Sequence, residues 1–137
     1  MAATKTKKKY YTVAEANATL PLVLVIVRDI TILAQSLNEQ HRQLSRLQDE
    51  AEPIPEAELD TAIARMEEGQ AQMRAYEHEL QELQVELKDY LTGLVDFPAR
   101  VEGRDVYLCW RLGEPEVAHW HEMNAGFAGR QKLAKVS

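Results

Sequence analysis

Cysteine is almost missing from this sequence, and no apolar run without a charged residue is long enough to cross a membrane. The 137 residues include one cysteine, Cys109, so the chain cannot form an internal disulfide, and a reducing compartment is favoured. The longest apolar run, at residues 20–27, ends at Arg28 and falls short of the roughly 20 residues that span a bilayer. Small residues precede this run instead of following it, which is the wrong order for a signal peptide. We therefore expect a cytoplasmic protein that has no membrane partner.

Positive charge is also scarce outside the amino-terminal end. The net charge is −6, and residues 49–89 hold thirteen acidic side chains against three basic ones. Because such a surface repels a phosphate backbone, we expect no nucleic-acid partner. The four lysines among the first nine residues favour a disordered basic tail at residues 1–11, followed by a single domain at residues 12–137.

The amino-terminal two thirds of the chain carry the signals of two long helices. Thr12 and Glu15 have the spacing of a capping box, in which each side chain accepts a backbone N–H of the other at a helix start. Pro21 lies about two turns later and predicts a break, after which a longer helix begins. Prolines on both sides of Ile54 predict the turn between the helices, and Gly93 predicts the end of the second one.

Apolar residues on both helices repeat at the spacing of a coiled-coil seam. On the second helix they recur every seven residues, at Leu59, Met66, Met73, Leu80, Leu87 and Leu94. We therefore expect a mainly α fold built on a long antiparallel, coiled-coil-like helical hairpin at residues 20–92. In a two-helix hairpin each helix buries only one apolar stripe, so the two helices alone provide a small core. We therefore also expect a homodimer, with another protein partner along the hairpin as an open alternative.

After the predicted helices, apolar and polar residues alternate, which indicates a β-hairpin followed by a loop-rich cap at residues 94–131. The turn of this hairpin is expected at residues 102–103. Pairing across that turn sets Phe97 opposite Leu108, which places the apolar residues on one face of the hairpin and Cys109 on the other. Because a lone hairpin is marginally stable in water, its apolar face should pack on the helices.

A short stretch at residues 109–122 combines side-chain types that bind transition metals. It holds a thiol, two imidazoles and several carboxylates, a mixture that suits zinc or iron. If the chain is extended there, His119 and His121 share one face of a strand and can reach one ion, which Glu114 or Cys109 would complete. We therefore expect a divalent metal site formed by His121, Glu114, His119 and Cys109, and the sequence leaves any other cofactor unknown.

The same residues allow two other interpretations. The histidines could serve only to hydrogen-bond the loop, with Cys109 as a small buried apolar side chain. Cys109, His121 and Glu114 also have the residue types of a small thiol-dependent or metal-dependent enzyme, although no catalytic motif accompanies them. We expect a non-enzymatic binding or scaffold module, and we assign no catalytic residue.

Several short motifs resemble those of a known family. They are residues 12–21 near the amino terminus and, in the last third, Gly93-Leu94-Val95-Asp96-Phe97-Pro98-Ala99, Leu108-Cys109-Trp110, Gly113-Glu114, Trp120-His121 and Gly126-Phe127-Ala128-Gly129-Arg130. Over nearly its whole length the chain resembles the bacterial family called domain of unknown function 2203. The resemblance implies no activity, because that family has no assigned one. It directs attention to the motif residues Asp96, Trp110, Glu114, Trp120, His121 and Arg130.

Overall fold

The computed structural model describes residues 8–49 and 54–133, which form two long helices followed by a small antiparallel sheet. The helices are α1 (Val13–Asp49) and α2 (Glu56–Glu82). Five strands pair in chain order, and they are β1 (Glu86–Asp89), β2 (Leu94–Val101), β3 (Arg104–Arg111), β4 (His119–Glu122) and β5 (Gln131–Lys132). The fold is therefore mainly α, as expected, but it contains a five-stranded sheet instead of a two-stranded hairpin.

The start of α1 confirms the predicted capping box. The Glu15 N–H donates to Thr12 Oγ1, and the Thr12 N–H donates to Glu15 Oε1, both at 3.0 Å. Tyr11, which falls in the predicted tail, is only 3% exposed, and its hydroxyl donates to the Leu83 carbonyl at 2.6 Å. The ordered fold therefore begins before α1, while residues 1–7 of the predicted tail lie outside the described residues.

The predicted helix break at Pro21 is wrong, because α1 runs through this residue without interruption. Pro21 lacks the N–H that would bond to the carbonyl four residues earlier, which costs free energy within a helix. The turns on either side are held by Ala16, Leu20 and Val23, which are buried in the core. Tertiary packing of one helix face therefore outweighs the local cost of the proline.

The predicted end of the second helix is also wrong. α2 ends at Glu82 instead of continuing to residue 92, and Gln84 then adopts a left-handed conformation with a φ of 57°. Such a conformation commonly ends a helix, although glycine usually provides it. The chain next enters β1, so Leu87 belongs to a strand instead of the helical seam. Gly93 lies between β1 and β2, with a φ of 72°.

The two helices contact each other, but the packing is thin away from the sheet. Gly69 of α2 lies against α1, where an added Cβ would be 2.6 Å from Leu37 Cδ2. Within its described length α1 has no buried residue after Ala34, and α2 buries only Met73 and Leu80. The turn predicted between the helices lies partly outside the described residues.

The sheet confirms the predicted register and extends it on both sides. Phe97 pairs with Leu108, and Val101 pairs with Arg104 across the turn at residues 102–103. β1 adds to one edge of this hairpin, and β4 and β5 add to the other. These added strands lie in segments where the sequence predicts the second helix and the loop-rich cap.

The core lies between α1 and one face of the sheet. Val23, Val27 and Ile30 of α1 are fully buried, and so are Phe97 and Trp110 of the sheet. By length and composition alone, α1 is apolar enough to cross a membrane, and 39% of the qualifying stretch is buried in this fold. The buried share is the side of the helix that contributes to the core.

Candidate functional site

Three strands bring Asp96, Cys109 and His121 together on the face of the sheet opposite the core. Asp96 of β2 pairs directly with Cys109 of β3, and His121 of β4 pairs with Tyr107, two residues before Cys109. Because alternate residues of a strand share a face, these side chains point to the same side. One potential ligand atom from each of the three residues lies within 4.8 Å of the others. Two atoms that bind one ion at about 2.0–2.3 Å lie at most about 4.6 Å apart, so these three atoms can share an ion with no more than a small side-chain adjustment.

The three side chains are enclosed although they lie on the outer face of the sheet. The exposed fraction is 2% for Asp96, 0% for Cys109 and 2% for His121. The Tyr107 ring lies beside them, with its centroid 5.4 Å from that of the His121 ring, and its hydroxyl donates to Glu86 Oε2 at 2.8 Å. Burial and this hydrogen bond raise the pKa of Tyr107 to about 12, so the phenol is neutral at physiological pH.

The hydrogen bonds of His121 determine which of its nitrogens can bind a cation. Nδ1 lies 2.7 Å from the carbonyl oxygen of Glu122, and because a carbonyl oxygen only accepts, Nδ1 carries the proton. Nε2 lies 3.0 Å from Asp96 Oδ1. In the neutral imidazole Nε2 is then an acceptor that faces another acceptor, so a proton or a metal cation must lie between the two atoms. A carbonyl that fixes one nitrogen while the other faces a cation is the usual arrangement of a metal-binding histidine.

Burial raises the pKa of the other two groups of the cluster. Desolvation raises the pKa of the Asp96 carboxyl above its ordinary value, although the hydrogen bond with His121 opposes this change. Desolvation, reinforced by the nearby Asp96, raises the pKa of the Cys109 thiol to about 12. A buried thiol with such a pKa is not a nucleophile at neutral pH, which argues against the thiol-enzyme interpretation.

Glu114 and His119, the other two expected metal ligands, form a second cluster with Arg130. Arg130 Nη2 donates to Glu114 Oε1 at 2.9 Å and to Oε2 at 2.8 Å. The backbone N–H of Arg111 also donates to Oε1, at 2.8 Å. His119 Nδ1 lies 3.8 Å from Glu114 Oε2. The Glu114 carboxylate thus ties the loop after β3 to Arg130, and the expected four-residue set is divided between two clusters.

Asp96 is absent from the metal site that the sequence predicts. The predicted register of the β-hairpin already places Asp96 directly opposite Cys109, so the pairing pattern was a signal that could have identified it. The sequence did not show that β4 pairs alongside β3. This pairing brings His121, and not Glu114, to the two residues of the hairpin.

Replacing Glu114 with glutamine is expected to lower the free energy of unfolding at neutral pH by about 1–3 kcal/mol. Burial alone would raise the pKa of this carboxyl, but hydrogen bonds from Arg130 and Arg111 hold it below its usual value of 4.5. A carboxyl whose pKa is lower in the folded state stabilises the fold above its unfolded pKa, and this stabilisation is lost as pH falls through the folded pKa. Urea unfolding should therefore show a clear difference between the two proteins near pH 7 and a much smaller one near pH 3.

The exposed neighbour Glu116 provides the control for this substitution. Glu116→Gln should leave the free energy of unfolding within about 0.5 kcal/mol of the unchanged protein. An equal loss in both variants, or a loss at Glu114 that does not depend on pH, would contradict the assigned role of the Arg130 pair.

Comparison with known proteins identifies one family. The model of the family described as "Uncharacterized conserved protein (DUF2203)" matches residues 9–133, which is nearly the whole chain. No curated protein and no solved structure matches the chain. The comparison therefore supports the resemblance seen in the sequence motifs and assigns no residue a role.

Proposed function

This chain belongs to the DUF2203 family of uncharacterized conserved proteins, and we propose that it is a non-enzymatic protein that binds one divalent metal ion through Asp96, Cys109 and His121. The observation that carries the proposal is the orientation of His121, whose Nδ1 is bonded to a carbonyl while Nε2 faces the Asp96 carboxylate. A cation between these atoms removes the repulsion between two acceptors. The same cation also stabilises the deprotonated form of the Cys109 sulfur.

The donor atoms favour a transition metal over calcium or magnesium. Imidazole nitrogen and thiolate sulfur are ligands of zinc and iron, whereas calcium and magnesium take oxygen ligands almost exclusively. A site formed by Asp96, Cys109 and His121 provides one oxygen, one sulfur and one nitrogen. Zinc and ferrous iron are therefore the ions that we propose.

Burial favours a structural or sensing role over catalysis. Three protein ligands leave one coordination position for another group, as in a catalytic site, but all three proposed ligands are at most 2% exposed, which limits the access of a substrate to that position. The ligands come from three adjacent strands, so an ion bound by them would cross-link β2, β3 and β4. A metal-dependent enzyme is the alternative, and it requires the cluster to open toward solvent.

Elemental analysis of the purified full-length protein tests the proposal. We expect about one zinc or iron ion per chain after dialysis against metal-free buffer, because structural sites of this kind bind tightly. Asp96→Asn, Cys109→Ser and His121→Ala should each lower this ratio strongly. Glu114→Gln and His119→Ala should leave it unchanged, which separates this ligand set from the one expected from sequence.

Two results would contradict the proposed site. The first is native protein that holds no metal and acquires none when zinc or ferrous iron is added. The second is a His121→Ala variant that is folded, as judged by circular dichroism, and keeps the full metal content. Either result would leave His121 and Asp96 as a buried hydrogen-bonded pair with a structural role only.

The helices support a second proposal, in which two copies of the chain associate along the half of the helix pair that lies away from the sheet. In the proposed dimer, this half of α1 and α2 forms the antiparallel, coiled-coil-like hairpin that the sequence predicts. The apolar residues of this part are only partly buried within one chain, and they include Leu44, Leu47, Leu59 and Met66. A second copy would remove their remaining apolar surface from water.

Light scattering at micromolar concentration tests this association. We expect the mass of two chains for the unchanged protein and the mass of one chain for Leu47→Asp, because an unpaired charge in an apolar interface is costly. Leu22→Asp is the matched control, since Leu22 is 52% exposed on the other half of α1. A single-chain mass for the unchanged protein would contradict the dimer.

A further inference from the structure

The pair formed by Glu114 and Arg130 lies next to the proposed metal site. Asp96 of β2 pairs with Cys109 of β3, and Cys109 pairs with His119 of β4. Directly paired residues lie side by side on one face of a sheet, so the His119 side chain lies beside that of Cys109. His119 Nδ1 is in turn 3.8 Å from Glu114 Oε2, and Arg130 donates to the same carboxylate. This pair therefore borders the metal site on the side of β4.

The positive charge of Arg130 acts on the sulfur of Cys109. Desolvation and the nearby Asp96 raise the pKa of this thiol, and the charge of Arg130 opposes them. Because the interaction between charges falls off with distance, this effect indicates that the guanidinium lies close to the sulfur. The Arg130 side chain is itself only 12% exposed. Arg130 therefore belongs to the group of side chains that enclose the cluster.

Residues 123–130, which we call the lid, connect β4 with β5 and end at Arg130. The residues of the lid before Arg130 are all exposed. The centre of the Phe127 ring lies 5.2 Å from the guanidinium carbon of Arg111 and 4.7 Å from that of Arg130. Together with the hydrogen bonds from Arg130 to Glu114, these contacts hold the lid against the sheet. An exposed loop held by a few side chains can open without separating the strands.

The closed lid leaves two buried nitrogen atoms without a hydrogen bond. They are His119 Nδ1 and Arg130 Nε, which have no hydrogen-bond partner among residues 8–49 and 54–133. A buried polar atom without a partner costs free energy, and this cost is removed when water reaches the atom. It offsets part of the stabilisation from the Glu114–Arg130 pair. The open and closed states of the lid are therefore closer in free energy than this pair alone would make them.

We propose that the lid controls the exchange of the metal ion at Asp96, Cys109 and His121, with the Glu114–Arg130 pair as its latch. This inference rests on the proposed metal site. While the latch is closed, the ion is shielded from water and from other ligands. When the latch opens, the lid moves away from Cys109, and an incoming ligand can occupy the fourth coordination position and displace the protein ligands. The lid thus determines the rate of metal release and uptake, and not the number of ions bound.

The rate at which the full-length protein releases zinc tests the proposal. Zinc-loaded protein is mixed with an excess of a chromogenic chelator, and the absorbance of the zinc complex is followed with time. We expect Glu114→Gln and Arg130→Gln each to release zinc about tenfold to a hundredfold faster than the unchanged protein, because each removes the charge-assisted latch. Both variants should still bind about one ion per chain. The double variant should be no faster than either single variant, since both substitutions break the same contact.

Gly103→Ala is the control for a general loss of stability. Gly103 belongs to the turn between β2 and β3, and its φ of 77° makes the substitution destabilising, but it is not part of the lid or its latch. This variant should release zinc at the rate of the unchanged protein. A rate raised equally in Gly103→Ala and Glu114→Gln would mean that release follows global unfolding, and it would overturn the lid.

Two further results separate the lid from the metal site. Equal release rates for Glu114→Gln and the unchanged protein, with zinc bound by both, would overturn the lid and leave the metal site intact. An unchanged protein that binds no zinc would overturn the metal site, and the lid with it.

Discussion

Adding zinc to the metal-free protein is expected to raise its melting temperature by roughly 10 to 20 °C when the free ion is at about a thousand times its dissociation constant. Binding to the folded state alone stabilises it by about 4 kcal/mol under these conditions, and each kcal/mol moves the melting temperature of a domain of this size by roughly 3–5 °C. The proposed ion joins Asp96, Cys109 and His121 from three strands, so unfolding must release it. Differential scanning calorimetry with and without zinc measures the shift.

Variants separate this shift from adventitious binding. His121→Ala should abolish it, because the variant loses the one nitrogen ligand. His78→Ala removes an exposed histidine that lies 3.1 Å from Glu82 on the surface of α2, and it should keep the whole shift. A shift that survives in His121→Ala but disappears in His78→Ala would place the ion on the helix and contradict the proposed site.

Gly93→Ala is expected to destabilise the protein by roughly 2–5 kcal/mol. The residue has a φ of 72°, and a side chain in this left-handed region costs about 1–2 kcal/mol. A Cβ at Gly93 would also lie 2.8 Å from both Leu112 Cβ and Val27 Cγ1. Because Val27 is a fully buried residue of α1, relieving the contact requires the helix or the sheet to shift, which adds about 1–3 kcal/mol. Urea unfolding measures the change.

Gly103 provides a closely matched control for the backbone effect. Its φ is 77°, almost the same as that of Gly93, but a Cβ there would meet no atom within 4 Å in the described part of the chain. Gly103→Ala should therefore cost only the backbone term of about 1–2 kcal/mol. Equal losses in the two variants would contradict the close approach of Val27 and Leu112 to Gly93.

The elements that the sequence predicted correctly depend on local or near-neighbour interactions. The capping box of Thr12 and Glu15 involves residues three apart, and the β2–β3 register follows from alternation on either side of a two-residue turn. Such signals require no knowledge of distant parts of the chain. The predicted β2–β3 register also pairs Asp96 with Cys109, which are two of the three residues of the candidate site.

The errors share a different cause, which is competition between local pattern and tertiary contacts. Leu87 continues the heptad spacing of α2, but in the structure it pairs with Val95 in a strand. A leucine at position 87 is compatible with either a helix or a strand, and only its pairing with the edge of β2 determines that it lies in a strand. The helix ends at Glu82 without a glycine, since Gln84 takes the left-handed conformation. The short strands β1, β4 and β5 have few residues each, so their periodicity is too brief to be read from sequence.

The sequence by itself determined the two helices, the apolar face of the β2–β3 hairpin and the types of side chain available for a site, because these follow from spacing and composition. Only the tertiary structure decided that α1 continues through Pro21 and that His121 joins Asp96 and Cys109 while Glu114 joins Arg130. Strand pairing and core packing act between residues far apart in the chain, so a local sequence pattern does not reveal them. Their free energy exceeds the local cost of a proline within a helix, and they determine which of several chemically equivalent carboxylates lies beside His121.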